Sequence, residues 1–98
     1  MGALTATERE AHAVLLRRLD ALREETRGLP HGYAIRYSAA ALPDIVAWVA
    51  LERRCCPFLG FALELAPRAG ALWHRLTGAE GVKAFMAAAL GLAPPRAR

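Results

Sequence analysis

Ninety-eight residues, 55% hydrophobic and 22% charged, suit one domain with a modest core and exclude a disordered chain. The net charge is +4 at pH 7, but the arginines are scattered, and acids are interleaved with them at Glu8, Glu10, Asp20, Glu24 and Glu25. That is the pattern of a solvated helix face rather than a basic stripe, so nucleic acid is not an expected partner.

Membrane partners are not expected either, because Arg, Glu or Pro interrupts every apolar stretch before it reaches the length of a bilayer span. The first ten residues lack the basic start and apolar run of a signal peptide. The expectation is a cytoplasmic protein whose two cysteines, Cys55 and Cys56, are reduced. A disulfide between such neighbours would close a strained, easily reduced ring.

In chain order, Thr7-Glu8-Arg9-Glu10 fits a capping box. Ala11, Leu15, Leu19 and Leu22 then follow at spacings of four and three, which predicts an amphipathic helix to about Arg27, stopped by Gly28 and Pro30. Tyr33 to Tyr37 alternates as a strand, with Tyr33, Ile35 and Tyr37 on one face. Ser38 reads as a cap or turn hydroxyl. A second helix is expected from about Ala40 or Pro43 to the cysteines, with Leu42, Ile45, Val46, Val49 and Arg53 at helical spacing.

Pro57 ends that helix, and Phe58 to Leu65 reads as a strand with Leu59, Phe61, Leu63 and Leu65 on one face. Ala66-Pro67-Arg68-Ala69-Gly70 is turn chemistry, so Leu72 to Leu76 should return as a hairpin. Thr77-Gly78-Ala79-Glu80 repeats the capping-box signature before a third helix whose stripe is Val82, Phe85, Met86, Ala89 and Leu90. Gly91 and Pro94 close it. Residues 6–92 form the expected ordered core of a single domain, and 93–98 a frayed tail.

The expected fold is therefore α+β, in the order α-β-α-β-β-α, with a small three-stranded, mostly antiparallel sheet of split β-α-β type. The third strand would lie between the first two, with helices on one face. The open face would carry Ala34, Arg36, Phe58, Ala62, Trp73 and Arg75, which predicts a homodimer across it.

The chemistry concentrates in Glu52-Arg53-Arg54-Cys55-Cys56-Pro57. Adjacent cysteines can present two sulfurs to one soft ion, and neighbouring arginines would favour the thiolate form. On a helix Glu52 lies three residues before Cys55 and four before Cys56, so its carboxylate shares their surface. The alternative for Glu52 is a surface salt bridge with an arginine. His74 alternates with Leu72 and Leu76 and should point inward, as a packed ring or a ligand. His12 should face water. The metal-site residues are thus Cys55, Cys56, Glu52 and His74, for Hg(II), As(III), Cu(I) or Zn(II). A closed four-ligand zinc site is not expected, because the usual Cys-x2-4-Cys spacing is missing.

The run Glu-Arg-Arg-Cys-Cys-Pro-Phe-Leu-x-Phe from Glu52 to Phe61 resembles a group of small uncharacterised bacterial proteins, as do Leu72 to Gly78, Glu80 to Lys83 and Gly32-Tyr33-Ala34. A looser Cys-Cys-x-Phe-x-x-Phe segment is similar to segments of heavy-metal-response proteins. The resemblance implies handling of a thiophilic metal or metalloid. His74 departs from it, an aliphatic residue being commoner there. Two other readings stand beside metal binding. One is a structural or interaction module with packed cysteines. The other is a thiol enzyme, which ranks last because a helix C-terminus raises a thiol pKa.

Overall fold

The computed structural model describes residues 4–91, and the expected frayed tail 93–98 lies outside them. Helix α1 spans Ala6–Leu22, followed by strands β1 (Arg23–Leu29) and β2 (Gly32–Tyr37). A short 3-10 turn at Ala39–Ala41 leads into α2 (Leu42–Cys55), then β3 (Gly60–Leu65), β4 (Leu72–Thr77) and α3 (Val82–Leu90). The order is α-β-β-α-β-β-α. Four antiparallel strands form one sheet, in the order β1-β2-β4-β3. The expectation of three strands and six elements is overturned.

The extra strand is the segment predicted to finish the first helix. The helical run Leu15, Leu19, Leu22 ends at Leu22, and the next positions on that face are Glu25 and Thr26, which bring nothing apolar to a core. Arg23 already has extended backbone, φ −74° and ψ 128°. The chain Arg-Glu-Glu-Thr-Arg-Gly-Leu pairs with β2 instead, and Pro30 and His31 form the turn between them. Its charges suit an edge strand, where they discourage further pairing. Within the rest of the sheet, β4 lies between β2 and β3, antiparallel to both.

The caps also shift. Thr5, not Thr7, caps α1: its hydroxyl accepts from the Glu8 amide at 3.1 Å, while the Glu8 carboxylate accepts from the Thr5 amide at 2.9 Å. The Thr77 to Glu80 segment forms no capping box. Helix α3 starts after Gly81, whose φ of 92° gives it a left-handed entry without a side-chain cap. Ser38 does serve as a turn hydroxyl, accepting from the Ala40 amide at 3.3 Å.

The core lies between the helices and the inner sheet face, around Leu19, Tyr33, Ile35, Tyr37, Ile45, Trp48, Leu72, Leu76 and Met86. Each helix turns slightly from its expected stripe. Val46 is exposed, and Trp48 is buried in its place. Ala11 is exposed while His12, Leu15 and Leu16 turn inward beside Leu19. Phe58 lies outside β3, where its ring meets that of Phe85 on α3 at 5.7 Å. The outer sheet face does carry Trp73, but the guanidinium groups of Arg27 and Arg36 lie 4.7 and 6.0 Å from its ring. Arg36 and Arg75 pair there with Glu24 and Glu25 and with Glu64.

Gly32 marks the tightest approach in the sheet. A Cβ placed there would sit 1.8 Å from the Leu76 carbonyl oxygen, closer than any backbone shift of a few tenths of an ångström relieves. Gly32→Ala should therefore destabilise the protein by about 1–3 kcal/mol, the range for overpacking. Urea unfolding followed by circular dichroism measures it, and an unchanged midpoint would show that β2 and β4 do not meet this way.

Candidate functional site

The end of α2 gathers the chemistry. Ile45, Trp48, Glu52 and Cys56 follow at intervals of three and four and are all buried. One helix stripe therefore carries an aliphatic, an aromatic, a carboxylate and a thiol down to the C-terminus of the helix. Cys55 is the last helical residue and Cys56 the cap, its amide donating to the Glu52 carbonyl at 2.6 Å. Cys55 is half-buried and Cys56 is 3% exposed. Both are free thiols, with their sulfurs 3.6 Å apart.

Glu52 is not the surface residue that the salt-bridge alternative needs: it is 4% exposed. Its Oε1 accepts instead from His12 Nε2 of α1, at 2.6 Å. His12 is thus no solvent-facing residue: its ring also lies 5.7 Å from that of Trp48. The signal for His12 was present in the sequence, since His12, Leu15, Leu16 and Leu19 fall at i, i+3, i+4 and i+7. A buried carboxylate needs such a partner, because an uncompensated charge there costs several kcal/mol.

The same carboxylate acts on the cysteines. Burial first, then the hydrogen bond with Cys55 and the charge of Glu52, push the Cys56 thiol up to about 12. The expectation that Arg53 and Arg54 would favour thiolate is therefore reversed for Cys56. Arg54 reaches across to α1, where its guanidinium pairs with the Glu8 carboxylate. At neutral pH Cys56 is a protonated thiol beside a carboxylate.

His74 points inward, as its alternation with Leu72 and Leu76 implies, and is 1% exposed. Its ring stacks on Phe61 at 5.9 Å and meets the edge of Trp48 at 5.8 Å. Among the described residues neither of its nitrogens has a hydrogen-bond partner, and nor does Trp48 Nε1. A cavity of about 10 Å³ adjoins both rings, together with Leu16, Leu19 and Tyr37, which is the size of about one water site. Burial holds the His74 ring well below its ordinary value, at about 4. Among the described residues, no three or more His, Cys, Asp or Glu side chains form a group able to hold a metal ion. Of the four expected ligands, the structure thus brings together the two sulfurs, sets Glu52 beside them in partnership with His12, and encloses His74 in rings.

No family model, no curated protein and no solved structure matches this chain.

Two measurements test this arrangement. Glu52→Gln keeps the shape of the side chain but removes its charge, so the Cys56 thiol should fall toward its ordinary range. Alkylation of Cys56 at pH 8 should then speed up several-fold, following the thiolate fraction. An unchanged rate would show that Glu52 does not act on the thiol. For His74, the unfolded chain takes up a proton near 6.5 and the folded one only near 4. The stability contributed by the neutral ring is thus complete above pH 6.5 and lost as the pH falls to 4, by about 3 kcal/mol. His74→Leu should flatten that limb of the stability–pH curve, as measured by denaturation at each pH.

Proposed function

We propose that this chain is a small cytoplasmic protein that binds a soft metal or metalloid ion through Cys55 and Cys56. The observation that carries the reading is the pair of free sulfurs 3.6 Å apart at the end of α2, close enough for one ion to bind both. Thiol sulfur selects soft ions over hard ones. Cys55 gives access, being half-buried where Cys56 is enclosed. In this reading Glu52 is the outer partner: it fixes the state of Cys56 and is itself fixed by His12. Among the described residues no helix is long and apolar enough to cross a membrane.

A second reading is favoured by the burial of Cys56, which belongs to the core cluster together with Leu59 and Trp48. In it the cysteines are packed side chains of an interaction module, and the pair has no ligand.

The two readings diverge in a thiol titration. If the pair binds a soft ion, one equivalent of Hg(II) or As(III) protects both cysteines of the reduced protein from alkylation. The ion also raises the melting temperature, by mass action on the folded state. Cys55→Ser and Cys56→Ser each abolish both effects. Alkylation rates that do not respond to either ion would leave the packing reading.

A further inference from the structure

The separation of the sulfurs also selects among soft ions. An ion about 2.3 Å from each sulfur, the zinc–thiolate length, subtends roughly 103° across 3.6 Å. That angle suits a tetrahedral ion or a three-coordinate ion with a lone pair. A linear two-coordinate ion, the preference of Hg(II) and Cu(I) with two thiolates, would need its sulfurs about 4.6 Å apart at the same bond length. Cys56 is enclosed in the core, so a wider pair would have to come from movement of Cys55.

The neighbouring groups decide between the two bent geometries. A tetrahedral zinc ion wants two further protein ligands. Glu52 is engaged by His12 at 2.6 Å, and His74 is shut in by Phe61 and Trp48. A trivalent pyramidal ion needs only one more ligand, and a hydroxide supplies it from the side on which Cys55 is accessible.

Resting on the soft-ion reading above, we infer that the ligand class is a trivalent oxyacid of arsenic or antimony, held by Cys55 and Cys56 with one hydroxide retained. The step is a condensation. Two As–O bonds of arsenous acid break and two As–S bonds form, and each thiol proton leaves with a departing hydroxyl as water. No electron is transferred. The reaction starts from the two free thiols, whose sulfurs already lie 3.6 Å apart.

The probes are sodium arsenite and, for comparison, Hg(II) chloride, each added to the reduced 98-residue chain without oxygen. Arsenite should give a one-to-one adduct, heavier by AsOH less two hydrogens, with both thiols protected from alkylation. Arsenic X-ray absorption on the native sequence should show two sulfurs and one oxygen. Cys55→Ser or Cys56→Ser should weaken binding on the order of 100-fold, the loss expected when chelation gives way to a single contact. Circular dichroism checks that these variants fold, and the sulfur count on the native protein stands without them. Protection by Hg(II) but not by arsenite would overturn the inference and leave the soft-ion reading in place. Protection by neither would overturn that reading itself. An adduct with one sulfur per arsenic would also overturn the inference.

Discussion

The packing of Trp48 joins the parts of this molecule. It is 2% exposed, projects from the middle of α2, and lies within ring contact of His12 on α1, Phe61 on β3 and His74 on β4. One side chain thus ties both long helices to two strands of the sheet. An aromatic of this size buries on the order of 200 Å², worth about 5 kcal/mol of transfer free energy. It also sets the phase of α2. With Trp48 turned into the core, Glu52 and Cys56 must follow it inward one and two turns later. The carboxylate is buried because it shares a stripe with the tryptophan, and His12 is drawn to it because α1 packs there. The polar chemistry at the end of α2 therefore follows from an apolar contact in its middle.

The sheet solves a separate problem. Its inner face is covered by the helices, and its outer face carries charged side chains around Trp73. β1 and β2 supply this charge: Arg27 pairs with Glu25, Arg36 with Glu24 and Glu25, and both guanidinium groups approach the Trp73 ring. Single surface pairs of this kind contribute little, about 0–1 kcal/mol each. Their larger effect is on the indole, which lies under cations rather than bare to water. Lys83 does the same on the other side of β2, donating to the Leu29 carbonyl at 2.8 Å with its ammonium 5.2 Å from the Tyr33 ring. That contact pins α3 to the β1–β2 turn.

Where apolar periodicity was strong, the sequence was readable. The alternation in Tyr33 to Tyr37 and in Leu72 to Leu76, and the turn between β3 and β4, leave no other reading. β1 was hidden because Glu24, Glu25 and Arg27 carry no apolar alternation, and its strand character comes only from pairing with β2. The helical stripes were read with the aliphatics leading, which favoured Val46 over Trp48, two residues on, and so placed Glu52 on a surface. At the candidate site the cysteines announced themselves by adjacency. The His12–Glu52 contact spans forty residues of sequence and depends on how α1 packs across α2, which no local pattern encodes. The inward His74 was legible, but its surroundings were not, since Phe61 and Trp48 arrive from other elements.

The state in which the thiols are held bears on what the site is for. A thiolate is the reactive form toward oxidants and alkylating agents, so a thiol whose pKa is raised, as at Cys56, resists adventitious oxidation. Burial, the helix C-terminus and Glu52 all act in that direction on Cys56. A catalytic thiol is built the opposite way, with a helix N-terminus or a cation lowering its pKa. The same arrangement penalises a divalent cation, which must first expel the Cys56 proton against these forces. A ligand that brings its own proton acceptor escapes the penalty, because its hydroxyls carry the protons away as water. On the proposed reading, selectivity would then need no large ligand cage, because two close sulfurs, one of them buried, would favour a partner that condenses with thiols.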